Sequence, residues 1–118
     1  MLGRRVVVTG VGMVSPLGPD VRTSWAAMLA GKSGISKLTG FDVTKHTVKI
    51  GGQIPDFDLS NYISPKDSRR MDDFIQLGLA AGVQAVSDSE IDSSPVDHRR
   101  VGVSIGSGIG GINTIETC

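Results

Sequence analysis

Gly106, Gly108 and Gly111 fall in the spacing G-x-G-x-x-G, directly after the β-branched run Val101-Gly102-Val103-Ser104-Ile105. Between a strand and a helix, such bare backbone lets amide groups approach a pyrophosphate at the helix N-terminus. The acid that would bind the ribose belongs about 20 positions further on, past Cys118, so the spacing leaves dinucleotide binding as one reading among several. Gly10-Val11-Gly12 also follows a β-branched run, but its third position is Ser15 and no helix starts there. Residues 102–106 spell G-x-S-x-G, the signature of a hydrolase nucleophile. Ser104 falls inside the predicted strand rather than on a strained turn, and no histidine follows it, although the hydrolase order of Ser, acid, His requires one. Cys118 is a thiol with no histidine near it in sequence, hence no base to activate it. His46 and His98 stand beside Lys45 and Arg99 and read as solvated surface. One cysteine and two distant histidines make neither a disulfide nor a zinc cluster. Lys66, Arg69 and Arg70 form a basic cluster partly offset by Asp67, Asp72 and Asp73. Such a mix is a solvated helix face or a docking surface for an acidic partner.

Val6-Val7-Val8, closed by Thr9-Gly10, lacks alternation and predicts a short strand covered on both faces. Met1 to Val8 starts like a signal peptide, but Thr9, Gly10, Gly12, Ser15 and Pro16 interrupt the apolar run. Asp20 is a natural N-cap, Val21, Trp25, Met28 and Leu29 share one helical face, and Gly31 stands where a left-handed residue ends a helix. This predicts a helix from Val21 to Ala30, with Lys32 near its negative end. Val48 to Ile54 predicts a strand with a bulge at Gly51-Gly52, followed by loop from Pro55 to Tyr62. Ser64 as N-cap with Pro65 at the first position and Asp67 at the third predicts a short helix bearing the basic cluster.

From Asp72 to Ser87 the apolar residues cover every face of a helix, and only Gln76 and Gln84 are polar in its middle. A helix apolar all round is a buried one. Gly78 and Gly82 would each cost about 1 kcal/mol against alanine in an exposed helix, which predicts close approach of another backbone there. Residues 92–100 form a polar connection, 101–105 a strand, and 112–118 the first turns of another helix. The predicted order of strand, helix, strand, helix, strand is α/β.

The 118 residues, 12.3 kDa, suffice for one modest domain. Twelve basic and twelve acidic side chains cancel, so no global field attracts nucleic acid or an anionic membrane. Three Phe, one Tyr and one Trp offer few stacking platforms for single strands. An apolar content of 39% and a mean hydropathy of +0.06 are those of a folded chain rather than a disordered one. No apolar stretch is long enough for a membrane span, and a lone thiol fits the reducing cytoplasm, the expected location. A fully buried helix in so short a chain, which stops just inside another helix, predicts that further chain is needed to cover it.

Four separate blocks are collinear with one family. Residues 4–18 (Arg4-Arg5-Val6 through Pro16-Leu17-Gly18), Trp25 to Leu29 with Gly31-Lys32-Ser33-Gly34-Ile35, Arg70-Met71-Asp72-Asp73-Phe74-Ile75-Gln76, and Ile105 to Gly111 together resemble the N-terminal portion of a β-ketoacyl-acyl-carrier-protein synthase. Ile109 within Gly-Ser-Gly-Ile-Gly-Gly resembles the type II elongating enzymes in particular. The resemblance implies a thiolase-like, layered αβαβα fold and a homodimer, with residues 1–118 an incomplete N-terminal portion ending before the nucleophile. It implies that the catalytic cysteine, in a Thr-Ala-Cys context, and two catalytic histidines lie beyond Cys118. Cys118 sits in Glu116-Thr117-Cys118, and neither His46 nor His98 matches, so no catalytic residue of the family is in this chain. Ile109, with Gly108 beside it, resembles the mouth of the acyl pocket; its plainer reading is core packing. Lys66, Arg69 and Arg70 match the patch that docks acyl carrier protein. The implied reaction is a decarboxylative condensation of an acyl thioester with malonyl-carrier protein. It uses no metal or nucleotide cofactor, since phosphopantetheine arrives on the carrier, and involves neither nucleic acid nor membrane. A non-catalytic partner of the chain-length-factor type, or a dinucleotide-binding domain, are the alternatives.

Overall fold

The computed structural model describes residues 3–54 and 56–118. Helix α1, Val21–Leu29, starts where the sequence predicts it: Asp20 is extended and its carboxylate accepts from the Thr23 amide at 2.7 Å. That backbone hydrogen bond holds the Asp20 carboxyl below the usual carboxylate range. The helix stops at Gly31, with φ +66, where the Gly31 amide donates to Met28 O and the Lys32 amide to Ala27 O, the paired bonds of a Schellman motif. The predicted apolar face is not the packed one. Trp25, Met28 and Leu29 are more than half exposed, while Ser24 and Ala27 are buried. The small face is selected because the tight Ser15–Gly18 turn lies against it, with Ser24 Oγ 2.7 Å from Ser15 Oγ and donating to Gly18 O.

Strands β1, Ile35–Lys37, and β2, Ile50–Gly52, form a two-stranded antiparallel sheet in which Ile35 faces Gly52 and Lys37 faces Ile50. The strand predicted over Val48 to Ile54 is therefore shorter, and Gly51-Gly52 is a regular ladder rather than a bulge. These glycines serve close packing: a Cβ would meet the Leu38 side chain at Gly51 and the Pro16 ring at Gly52. Helix α2, Pro65–Ser68, is the predicted short helix, capped by Ser64 Oγ accepting from the Asp67 amide.

The strands predicted at 6–8 and 101–105 do not form. Val6 and Val103 are 92% and 86% exposed, and neither segment pairs with another strand. A β-branched run becomes a strand only against a neighbour that takes its hydrogen bonds and packs its faces, and among the described residues none lies alongside.

Helix α3, Asp73–Ser89, ends at Glu90 in the left-handed conformation. Its all-round burial is corrected too: Ala80 is fully buried, but Phe74, Ile75, Leu79, Val83 and Val86 remain about two-fifths exposed. Gly78 and Gly82 have open space where a side chain would project. The close backbone approach comes from elsewhere, because a Cβ on Gly10 or Gly12 would run into the α3 backbone at Ala85 or Ala81. The N-terminal segment thus lies directly on α3. It is held by the Val11 amide donating to Asp88 Oδ2 at 2.9 Å and the Met13 amide to Gln84 Oε1 at 3.1 Å. Gln84 Nε2 also donates to Pro19 O and Tyr62 Oη. One amide side chain ties the N-terminal segment, the turn leading into α1 and the 57–62 loop to one turn of α3. Helix α4, Ile112–Thr117, is the last element, after 3-10 turns at Ile91–Ser93 and His98–Arg100. Helices with a small sheet are consistent with the α/β class. Among the described residues no helix is long and apolar enough to cross a membrane.

Candidate functional site

The candidate site is where the first turn of α3 meets the glycine loop. Gly110, with φ +87, lies against the Phe74 ring; a Cβ there would be 3.4 Å from the ring carbon Cζ. A Cβ on Gly111 would run into the Asp72 carboxylate. Asp72 is the N-cap of α3 by position, yet its side chain caps nothing in its own helix. It reaches instead to α4, where Asp72 Oδ1 accepts from Thr114 Oγ1 at 2.6 Å. Met71, Asp72, Asp73, Phe74, Gly110, Gly111 and Asn113 enclose a recess of about 180 Å³ at this junction. Ile109 projects from the same loop and is 72% exposed, and Gly106 and Gly108 stand in open space.

The basic cluster adjoins this junction through Arg70-Met71-Asp72. Gln76 Nε2 donates to Ser68 O at 2.9 Å and Met71 O at 2.7 Å, clamping the turn between α2 and α3. Lys66, Arg69 and Arg70 are all exposed. Two of the acids expected to offset them are engaged elsewhere: Ser64 Oγ donates to Asp67, and Asp72 takes the Thr114 hydroxyl. Among the described residues the ion pair is Arg99 with Asp97, at 3.0 Å, so the three cations face solvent without an acidic partner. That pairing holds the Asp97 carboxyl below the usual range.

The other sequence candidates come to little. Helix α4 does start just after Gly111, as a dinucleotide motif requires, but no strand precedes the loop and the Asp72 carboxylate already lies against Gly111. A pyrophosphate there would meet a like charge. Ser104 is exposed on the unpaired segment rather than on a strand-to-helix turn, and Cys118 is an exposed free thiol. His46 is exposed with its ring edge-on to Phe41, and His98 lies in an exposed 3-10 turn. No group of three or more His, Cys, Asp or Glu is placed to hold a metal among the described residues. In the sequence Asp72 reads as a charge beside the arginines, as the start of the apolar helix and as part of a family block, and none of these gives it a partner in residues 112–118. An aspartate one residue before a helix reads as an ordinary N-cap, so nothing in the sequence marks its reach to Thr114.

Residues 3–118 match the family described as "Beta-ketoacyl synthase, N-terminal domain". The chain belongs to that family. It is 51% identical over 117 residues to the 3-oxoacyl-[acyl-carrier-protein] synthase 2 of Vibrio cholerae serotype O1, covering 99% of this chain and 28% of that protein. The protein of the same name from Vibrio harveyi is 52% identical over 116 residues, covering 98% of this chain and 28% of the relative. The one from Staphylococcus aureus strain COL is 42% identical over 113 residues, covering 96% and 27%. The solved structure of "The ishigamide ketosynthase/chain length factor" superposes with a TM-score of 0.73 at 27% identity, covering 97% of this chain and 28% of that one. The four blocks read from the sequence therefore mark the N-terminal domain of the β-ketoacyl synthase family with a thiolase-like fold, rather than a dinucleotide-binding domain. The chain spans a little over a quarter of the length of the curated relatives it matches.

Proposed function

We propose that at the full length of its relatives this protein is a 3-oxoacyl-[acyl-carrier-protein] synthase II of fatty-acid elongation. The observation that carries the reading is 51–52% identity, across nearly all of this chain, to two proteins of that name. In this reading residues 1–118 are the N-terminal portion of a layered αβαβα homodimer, and the cysteine and two histidines of the chemistry lie further along. The cysteine thiolate takes the acyl group from carrier-protein phosphopantetheine, releasing the carrier thiol. Malonyl-carrier protein then loses carbon dioxide, and the carbanion left behind attacks the acyl thioester. The 3-oxoacyl product, two carbons longer, leaves on the second carrier while the cysteine regains its thiolate. Neither a metal nor a bound cofactor enters these steps. The test is to supply the full-length protein with acyl- and malonyl-carrier protein and analyse the products by mass. A folded protein that yields no elongated 3-oxoacyl species would sink the reading.

The structural neighbour, a ketosynthase/chain length factor by name, keeps one rival alive: a non-catalytic partner of the chain-length-factor type. At 27% identity against 51–52%, that neighbour is the more distant guide. Loss of the Thr-Ala-Cys nucleophile in the full-length sequence would favour the rival.

Within the synthase reading, Ile109 and Gly108 form the mouth of the acyl pocket and Lys66, Arg69 and Arg70 dock the carrier. The support for docking is three exposed cations, without an acidic partner among the described residues, on a turn that Gln76 ties to α3 by two hydrogen bonds. Replacing Arg69 and Arg70 by Glu is expected to weaken carrier binding by about 10- to 100-fold at low salt, mostly through slower association. The gap should narrow as salt shortens the screening length. Unchanged affinity by titration calorimetry removes the docking site.

A further inference from the structure

Ile109 touches little of the chain itself, being 72% exposed, so its placement depends on what holds the neighbouring backbone. Two side chains at the N-terminus of α3, from its N-cap and its first turn, do so. The Phe74 ring fills the space in front of Gly110, and the Asp72 carboxylate fills the space in front of Gly111. Asp72 is also joined to α4 by the 2.6 Å hydrogen bond from Thr114, a link across 42 residues of sequence. Gly110 holds a positive φ that other residues seldom adopt, so the loop beside Ile109 is shaped by its glycines and fastened from outside. The apolar contact resists compression of the loop but does not fix its sliding along α3. The directional bond from Thr114 does.

We propose that Asp72 is a positioning residue that fixes the Gly108–Gly111 turn through Thr114, and so sets which acyl chains pass Ile109. The specificity half rests on the reading of Ile109 as the mouth of the acyl pocket. Because Asp72 directly follows Arg70-Met71, the same turn that presents the basic cluster also anchors the gate. A displacement of that turn by an acidic partner would be felt at Gly111 without any intervening flexible segment.

The experiment uses four variants of the full-length protein. Thr114→Val removes the donor with little change of shape, and Thr114→Ser restores it. Asp72→Ala removes the acceptor, and Asp72→Asn keeps a carbonyl oxygen in its place. Hydrogen exchange over residues 106–112 is expected to rise about fivefold to tenfold in Thr114→Val and Asp72→Ala, and to stay near the parent rate in Thr114→Ser and Asp72→Asn. The ratio of kcat/KM for long against short acyl-carrier proteins should move by about threefold in the first pair only, with kcat for the short substrate unchanged. Unaltered exchange in Thr114→Val overturns the proposal, as does an equal rise in both variants of each residue, which would mean general loosening. Raised exchange with an unmoved chain-length ratio overturns the specificity role. If the parent protein condenses nothing, the synthase reading fails, while the exchange measurement still decides whether Asp72 holds the loop.

Discussion

Expressed alone, residues 1–118 bind a hydrophobic dye such as ANS, show little near-ultraviolet circular dichroism and unfold over a broad temperature range. The accessible surface of the chain is 9941 Å², whereas a folded monomer of 12.3 kDa has about 6,100 Å². Its radius of gyration is 17.6 Å, against about 13.5 Å for a compact chain of this length. The fully or nearly buried residues are small or few: Ser24, Ala27, Val43, Ile63 and Ala80. Val6, Val8, Val103 and Ile105 are exposed by 73% or more, and the outer face of α3 with Val103 and Ile105 borders an apolar groove of about 540 Å³. Stability is a small difference between apolar burial and chain entropy, and so open an arrangement leaves the burial side short. Helices with firm caps survive such a deficit, so far-ultraviolet dichroism should persist, which is the pattern of a molten state. A sharp cooperative melt with a well-dispersed amide spectrum would overturn this. The same sequence embedded at the length of its relatives should melt cooperatively, because more chain is then available to cover these faces.

The division between what the sequence discloses and what it hides follows the range of the interactions. Asp20, Gly31, Ser64 and Pro65 act on amides and carbonyls within five residues, and the helices they bound are where the pattern places them. Val6-Val7-Val8 and Val101 to Ile105 carry the composition of inner strands, but a strand needs a partner, and composition does not supply one. The α3 pattern is correct about its apolar character and wrong about what lies against it. The approach of Gly10 and Gly12 to Ala81 and Ala85 crosses some 70 residues, beyond any periodicity. Gln76 and Gln84 stand out in the pattern as the only polar residues mid-helix, and each turns out to bind loop backbone. For the site, the family resemblance names Ile109 and the basic cluster as separate features, whereas their meeting at Asp72 and the Asp72 to Thr114 bond are facts of tertiary structure alone.

Gly12→Val should destabilise the full-length protein by about 3 kcal/mol or more, well beyond any change at Arg69, Arg70, Asp72 or Thr114. Along a helix the backbone is normally kept away from neighbours by side chains, and here it is not. The first carbon of any side chain at residue 12 would overlap the Ala81 carbonyl and crowd the Ala85 amide, and neither is the end of a side chain that can rotate away. The segment must therefore lift off α3, and it takes with it the bonds from the Val11 amide to Asp88 and from the Met13 amide to Gln84. Each is worth about 1 kcal/mol net, and Gln84 would also lose its fixed orientation toward Pro19 and Tyr62. Gly10→Val should act in the same direction through Ala85 and Ser89. Gly3, which has open space where a Cβ would project, is the control, and Gly3→Ala should stay within about 0.5 kcal/mol of the parent. Equilibrium urea unfolding separates these outcomes. A Gly12→Val protein as stable as the Gly3→Ala control would mean that the N-terminal segment does not rest on α3, and the role of Gln84 as the tie between them would fall with it.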